Sequence, residues 1–294
     1  TLVFNNTSGS YGSIDSTHVY WPLSNGPIDV TVQGAGGITL GVARTVGGVF
    51  QTAAGVTNAN NLTLNGTAQI NAGGWLNSSP IYGAASTLIY NAGGSYSMAD
   101  EWVSGGTVGS GVPKNVTIQN NTAVTLPNGA GSRTINGDLT INNGSLALGG
   151  NFGDDLSVGG NWINNGSFNA NNRAVTFDGG GTSTYGGSST TTFDYLTVDA
   201  GTTLDVGANT LFNANGTVTN NGTLKQTKTV NSSSIVDFLN VSTNKYYGVQ
   251  IVAGSTALGS TTVSISGNQV CSQAQGYPVK RCFDVAPATQ ASAD

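Results

Sequence analysis

Aspartates and arginines supply most of the side chains in this sequence that could carry acid–base chemistry. Paired carboxylates cleave glycosidic bonds by acting as general acid and as base or nucleophile. The adjacent Asp154 and Asp155 are the first candidates, but neighbouring residues of a strand point to opposite faces. We therefore favour isolated aspartates that cap turns over a catalytic cluster. The remaining candidates are Asp178, Asp194, Asp199, Asp205, Arg133 and Arg173.

Histidine and metal-binding motifs offer little further chemistry. His18 is the only histidine, and no Gly-x-Ser-x-Gly element surrounds a usable serine. The segment 149–157 matches a calcium-binding nonapeptide at most positions, but Phe152 replaces a glycine and the motif occurs once. We predict no catalytic residue, no metal and no cofactor.

Two cysteines, Cys271 and Cys282, lie close together near the C-terminus. In a secreted protein such a pair predicts one local disulfide, which would contribute roughly 2 to 3 kcal/mol in the chain-entropy model. The alternative is a pair of buried free thiols in a cytosolic protein.

The elements that must position these side chains are short strands in a recurring phrase. The phrase appears as Asn115-Val-Thr-Ile, Asp138-Leu-Thr-Ile, Asp155-Leu-Ser-Val and Tyr195-Leu-Thr-Val, each followed by a turn rich in Gly and Asn. Its apolar anchors recur every 17 to 23 residues, which predicts a parallel β-helix, that is, a β-solenoid. The alternative is a long β-sandwich or a series of hairpins, because Asn-Gly is also a hairpin signal. The anchors are Val116, Leu139, Leu156, Val175, Leu196 and Val218.

Asn-Gly pairs mark the predicted corners of the coils. We expect them to supply residues with positive φ, and stacked asparagines to form amide ladders between coils. The pairs lie at 65–66, 136–137, 143–144, 165–166, 215–216 and 221–222.

Composition limits the partners. The chain has 44 glycines, a hydrophobic fraction of 37%, 9 Lys+Arg against 14 Asp+Glu, and a formal net charge of -5. Nucleic acid binding needs clustered Lys and Arg, which this chain lacks. No stretch approaches the roughly 18 consecutive apolar residues that a membrane span requires.

Changes in the repeat pattern of the sequence divide the chain into three parts. Residues 1–27 form an N-terminal extension or cap strand, residues 28–230 carry the solenoid repeats, and residues 231–294 form a small antiparallel β module with the disulfide. Because the sequence begins at Thr1 and carries no signal peptide, we interpret it as a processed mature chain, although an arbitrary boundary would look the same.

Residues 115–224 resemble the Asn/Gly/Thr-rich repeats of bacterial secreted right-handed β-helix proteins, including adhesins and autotransporter passenger domains. Segments 115–118, 137–146 and 160–168 carry this resemblance. Segments 258–265 and 279–284 resemble C-terminal modules of similar surface proteins, in which another strand follows. The resemblance implies an extracellular, cell-surface protein with a structural or adhesive role. Polysaccharide lyases and glycoside hydrolases share the fold, but the Asn-Thr-Asp and Gly-His-Gly elements of polygalacturonases are absent.

The ends of a solenoid expose unpaired strand edges. We predict that the apolar strand formed by Thr1, Leu2, Val3 and Phe4 adds to the next copy of the chain, which would give a homo-polymer that grows head to tail. The alternative is that this strand pairs within its own cap.

Glycans enter the predictions in two ways. Binding or cleavage of a polysaccharide is the alternative function, with Trp75, Trp102, Trp162, Tyr185 and Tyr195 as stacking residues, although a core or corner position is favoured for each. Sequons make attached glycans a second prediction for a secreted chain. These sequons include Asn61, Asn115, Asn165 and Asn215.

Overall fold

A computed structural model describes residues 1–213, 216–240, 248–269, 271 and 280–289. The fold is nearly all-β: a parallel β-solenoid of about nine turns, followed by a small antiparallel sheet near the C-terminus. Within the described residues there is no α-helix, and the one 3-10 helix spans Ala59–Asn61. The predicted fold class is confirmed.

The strands are short, as the sequence pattern predicts. In the first half they are β1 (Leu2–Phe4), β2 (Ser13–Ile14), β3 (Val30–Val32), β4 (Ile38–Leu40), β5 (Arg44–Val46), β6 (Val49–Thr52), β7 (Gly55–Thr57), β8 (Leu62–Leu64), β9 (Thr67–Asn71), β10 (Trp75–Leu76), β11 (Ile81–Tyr82), β12 (Thr87–Asn91), β13 (Ser95–Ser97), β14 (Asn115–Gln119), β15 (Ala123–Thr125), β16 (Arg133–Ile135) and β17 (Leu139–Asn142). In the second half they are β18 (Ser145–Ala147), β19 (Leu156–Val158), β20 (Trp162–Asn164), β21 (Ser167–Asn169), β22 (Ala174–Phe177), β23 (Thr182–Gly186), β24 (Thr192–Phe193), β25 (Tyr195–Val198), β26 (Thr203–Asp205), β27 (Phe212–Asn213), β28 (Val218–Asn220), β29 (Thr223–Val230), β30 (Ile235–Phe238), β31 (Val249–Val252), β32 (Gly259–Gly267) and β33 (Arg281–Pro287).

One sheet of thirteen strands runs the length of the solenoid, in the order β1-β3-β6-β9-β12-β14-β17-β20-β23-β26-β29-β32-β33. The other faces of the solenoid are interrupted. Two sheets end at β10 and β11, and two new sheets begin at β13 and β16. Before the break they are β10-β7-β4-β2 and β11-β8-β5; after it they are β13-β15-β18-β21 and β16-β19-β22-β25-β28. Smaller sheets pair β24 with β27 and β30 with β31.

The core consists of stacked columns of inward side chains. On the long sheet, Val116, Leu139, Trp162 and Tyr185 lie opposite one another, each 23 residues after the last. All four are buried, and a fully buried side chain of this kind stabilises the fold by about 1.5 to 3 kcal/mol. Leu156 belongs to a different face, where it pairs with Val175. The predicted series of anchors therefore combined residues from two faces of the solenoid, because strands on both faces require the same alternation of apolar residues.

The corner glycines are required for a reason other than the predicted one. Among the described members of the Asn-Gly pairs, only Asn143 has a positive φ, of 62°. The glycines instead allow close stacking: a Cβ on Gly166 would lie 2.2 Å from the carbonyl oxygen of Gly144, and one on Gly66 would lie 2.3 Å from that of Gly48. The coil below therefore excludes a side chain at these corners.

An amide ladder runs along the long sheet on strands β9, β12 and β14, whereas the ladder predicted for asparagines at the Asn-Gly corners stays a prediction. Asn91 Nδ2 donates to Asn71 Oδ1 at 2.7 Å, and Gln119 Nε2 donates to Asn91 Oδ1 at 3.2 Å. These bonds link three successive coils outside the core, which adds to the backbone ladder in fixing their register.

Pairing changes from parallel to antiparallel at β29. This strand lies parallel to β26 and antiparallel to β32, and β33 is antiparallel to β32 in turn. The predicted disulfide is present: Cys271 and Cys282 are bonded, with their Cα atoms 5.4 Å apart. Among the described residues, no helix has the length and apolar character needed to cross a membrane.

Candidate functional site

The N-terminal strand lies in its own sheet. β1 pairs in parallel with β3, with Leu2 opposite Val30, so the alternative in which Thr1–Phe4 pairs within its own cap describes this structure. Leu2 N–H donates to the Asp29 carbonyl at 2.8 Å, and the Phe4 carbonyl accepts from Gln33 N–H at 2.9 Å. Since bonding alternates along a strand, the N–H and C=O of Val3 point away from β3. In the described part of the chain no strand pairs with that outer edge.

The same end of the solenoid presents apolar surface. Trp21 is buried and packs against Phe4, with ring centroids 6.1 Å apart, so it closes the end of the core. Beside it is an open cavity of about 310 Å³. Its lining consists of Leu2, Val3, Phe4, Tyr11, His18 and Tyr20. Exposed apolar side chains surround this cavity, and large apolar patches on a soluble protein commonly mark contact sites.

The opposite end of the long sheet is β33. Phe283 lies opposite Ile265, and Val285 lies opposite Val263, so both belong to the core-facing side of the sheet. Nevertheless Phe283 is 48% exposed and Val285 is 43% exposed. Ala288 N–H donates to the Ser260 carbonyl, so the backbone of Ala288 faces β32. Because bonding alternates along a strand, the N–H and C=O groups of Phe283 and Val285 point away from β32.

The two adjacent carboxylates, Asp154 and Asp155, are each engaged in turns. Asp154 accepts N–H bonds from Gly129 at 2.8 Å, Gly131 at 3.0 Å and Asn151 at 3.0 Å. Burial by itself would raise the pKa of Asp154, but these donors, aided by the charge of a nearby arginine, hold it below its ordinary value. Asp155 accepts a bond from the backbone of the next coil instead.

The other aspartates are dispersed along the solenoid. Asp194 accepts from Asn172 N–H at 2.6 Å, and Asp205 forms a salt bridge of 2.8 Å with Lys225. Asp178 follows β22 and Asp199 follows β25 on the next coil; burial, and then the charge of Asp199, raise the pKa of Asp178. Among the described residues, no three His, Cys, Asp or Glu side chains gather as metal ligands would. Asp178 and Asp199 thus lie near each other on neighbouring coils, but the structure does not assemble the predicted carboxylates into one site.

The two arginines and the aromatic candidates divide between core and surface. Arg133, Trp102, Trp162 and Tyr185 are buried, which agrees with the core position favoured for these aromatics and rules out stacking of sugars on them. Burial also lowers the pKa of Arg133. Trp75 and Tyr195 are exposed by 45% and 41%.

Three of the four named sequon asparagines, Asn61, Asn115 and Asn165, hydrogen-bond to neighbouring coils. Asn61 Nδ2 donates to the Leu40 carbonyl, Asn115 Oδ1 accepts from the Asp138 N–H, and Asn165 Oδ1 accepts from the Ser188 N–H. Asn215 lies outside the described residues. Glycosylation at these positions stays a prediction.

Sequence reasoning missed a buried acidic residue. Glu101 is the only glutamate of the chain, and it lies in the segment 98–114 that separates β13 from β14. Its side chain is fully buried. Burial raises its pKa to about 7, against the opposing effect of hydrogen bonds to the carboxylate, including one from Ala99 N–H at 3.0 Å.

The segment around Glu101 fills the break between the interrupted sheets. Tyr82 Oη donates to the Glu101 carbonyl at 2.7 Å, and Arg133 Nε donates to the Trp102 carbonyl at 3.0 Å. The hydroxyls of Tyr90 and Tyr96 face the carboxyl without a hydrogen bond of ordinary geometry. A lone glutamate beside a tryptophan in a long stretch without repeats was the signal available in the sequence.

No protein-family model, curated protein or solved structure matched this chain when it was compared with them. The function therefore has to be argued from the geometry of the two ends and of the sides.

Proposed function

We propose that this chain is a secreted structural β-solenoid that assembles head to tail into filaments. The observation that carries the proposal is strand direction. Because β32 is antiparallel to β29 and β33 is antiparallel to β32, β33 runs the same way as the solenoid strands. β1 is parallel to those strands as well. A second copy can therefore place its β1 beside β33 and continue the sheet with parallel pairing.

Hydrogen bonding and side-chain orientation support one and the same register. Val3 N–H would donate to the Phe283 carbonyl, and Val285 N–H would donate to the Val3 carbonyl, which sets Val3 opposite Asp284. This register places Leu2 beside Phe283 and Phe4 beside Val285, so that inward residues meet inward residues, as they do between β1 and β3. A slip of one residue would break both relations.

Apolar surface at both ends supports the same contact. The exposed core-facing side chains of Phe283 and Val285 would meet the apolar cavity that Leu2 and Phe4 help to line. Such a contact is heterologous, because it joins different surfaces of identical chains, and without ring closure it propagates into a filament. The disulfide between Cys271 and Cys282 lies next to Phe283 and tethers this edge strand, as suits an oxidising, extracellular setting.

The test uses proline to remove one outward N–H at each end. Val3→Pro deletes a donor that β3 does not use, and proline is tolerated on edge strands. Val285→Pro does the same at the other end, and Val3→Thr and Val285→Thr are matched controls that keep the N–H. We expect filaments from the wild type and both controls in negative-stain electron microscopy, and discrete particles from both proline variants.

Mixing the two proline variants tests the direction of assembly. Val3→Pro retains a competent β33 and Val285→Pro retains a competent β1, so the mixture should stop at heterodimers in mass photometry. Discrete wild-type particles at every concentration, or filaments from Val3→Pro alone, would show that the proposal is wrong.

A further inference from the structure

A groove on the side of the solenoid is the strongest feature that the filament proposal leaves unused. It lies on the outer surface of the sheet β16-β19-β22-β25-β28 and has a volume of about 390 Å³. The side chains discussed below are Phe152, Asp155, Arg173, Tyr195, Thr197 and Thr219, which all line it.

The groove follows the solenoid axis across consecutive coils. Thr197 on β25 lies opposite Thr219 on β28. Two coils before Thr197, the Asp155 carboxylate beside β19 accepts the Ala174 N–H of β22 at 2.8 Å. With about 4.8 Å between neighbouring strands, the four coils from Asp155 to Thr219 span about 14 Å. An extended chain molecule fits this shape better than a compact ligand.

Two aromatic rings stand exposed in the groove. Phe152 is 97% exposed, and burial therefore gives no reason for a large apolar side chain at this turn. Tyr195 is 41% exposed, and its ring rests on the next coil: a Cβ at Gly216 would lie 2.1 Å from Tyr195 Cδ1. The glycine beneath the ring thus leaves the space that the ring occupies on the next coil.

Polar groups between the rings supply both donors and acceptors. The Arg173 guanidinium carbon lies 5.9 Å from the centre of the Phe152 ring, and its Nε is itself buried without a hydrogen-bond partner in the described part of the chain. Asp155 contributes a carboxylate, and threonine hydroxyls line the floor. One cation and one anion leave the groove balanced in charge, on a chain whose formal net charge is -5.

We infer that this groove binds a neutral polysaccharide. Rings stack on the apolar faces of sugars, while a guanidinium and a carboxylate donate to and accept from sugar hydroxyls. A polyanion would meet the negative net charge of the chain and a single lining cation, so it is disfavoured. The inference does not depend on filament formation, because the groove lies on a side face and not at an end.

Affinity gel electrophoresis tests the inference with mixed-linkage β-glucan as the probe and alginate as an anionic comparison. The monomeric Val3→Pro background prevents filaments from controlling mobility; if the wild type is itself monomeric, it serves instead. We expect β-glucan to retard the protein, and Tyr195→Ala and Phe152→Ala each to raise the dissociation constant about tenfold.

Trp75→Ala is the matched control. Trp75 is also exposed and also rests on a glycine, Gly55, but it lies on another face without the arginine and aspartate. Its substitution should leave retardation unchanged. Phe152 makes so little contact that its removal should not disturb folding, which protects the test if Tyr195→Ala is unstable. No retardation in β-glucan, retardation in alginate alone, or full retardation of Phe152→Ala would overturn the inference.

Discussion

Ionisation of Glu101 should make the stability of this protein depend on pH near neutrality. Burial is the main cause that raises the pKa of this carboxyl from 4.5 to about 7 in the folded chain. Below pH 4.5 the group is protonated in both the folded and the unfolded states. Between pH 4.5 and 7 the unfolded chain releases the proton while the folded chain retains it, so stability falls as pH rises.

The size of the effect follows from the difference in pKa. Each pKa unit corresponds to about 1.4 kcal/mol, so Glu101 should make the folded state about 3 kcal/mol less stable at pH 8 than at pH 4. Glu101→Gln keeps the shape and an acceptor for the Ala99 N–H but carries no charge. We expect this variant to match the wild type at pH 4 and to be more stable by about 3 kcal/mol at pH 8.

Denaturant unfolding at a series of pH values measures the free energy of unfolding of the wild type and of Glu101→Gln. The difference between the two, plotted against pH, isolates the contribution of Glu101 from that of all other groups. Because Glu101 is the only glutamate, labelling with δ-¹³C glutamate gives one carboxyl resonance that reports its pKa directly. Asp100→Asn is the control, since Asp100 is the adjacent carboxylate and is exposed. A resonance that titrates near pH 4.5, or the same pH dependence in Glu101→Gln as in the wild type, would refute the reasoning.

Two further predictions concern the corners and the C-terminal edge. Gly166→Ala should lower the free energy of unfolding by at least about 2 kcal/mol, because its Cβ would collide with the backbone of Gly144. Gly94→Ala is the control and should change the free energy of unfolding little, because a Cβ there meets nothing within 4 Å. Equal denaturation curves for the two variants would contradict the stacking account. The double variant Cys271→Ser and Cys282→Ser should lose roughly 2 to 3 kcal/mol of folding stability, and it should form fewer filaments because β33 is no longer tethered. Sedimentation measures the filament mass. An unchanged filament mass in an equally folded variant would show that the disulfide is not needed for assembly.

The local pattern of residues was enough to predict the strands, but it did not predict which face of the solenoid each strand belongs to. Val116 and Ile118 alternate with outward residues, as a half-buried strand requires, and they are buried in the structure. The phrases at Leu139 and Leu156 look alike yet belong to different faces, because every inner face of a solenoid selects the same alternation. Only the pairing between coils, a long-range property, distinguishes them.

The candidate sites show the same limit. The expectation of aspartates that cap turns describes only the local bonds, such as Asn151 N–H to Asp154 and Gly207 N–H to Asp205. The bonds from Gly129 N–H to Asp154 and from Ala174 N–H to Asp155 join different coils, and no local pattern predicts them. The groove was not foreseen, because Phe152, Arg173 and Tyr195 lie about twenty residues apart and meet only when coils stack. The raised pKa of Glu101 likewise depends on burial by a segment without repeats, whose path no periodicity specifies.

The C-terminal sheet gives the two ends of the long sheet the same strand direction. A single antiparallel strand after β29 would cap the long sheet with an edge that runs against β1. The second antiparallel strand, β33, restores the original direction, and its alternate residues present core-facing apolar side chains and backbone groups that no other described strand pairs with. Open edges are normally blunted by charge, bulges or cover, since they template association. Under the proposed head-to-tail assembly, an edge strand that runs parallel to β1 and carries apolar side chains would instead favour association with another copy of the chain.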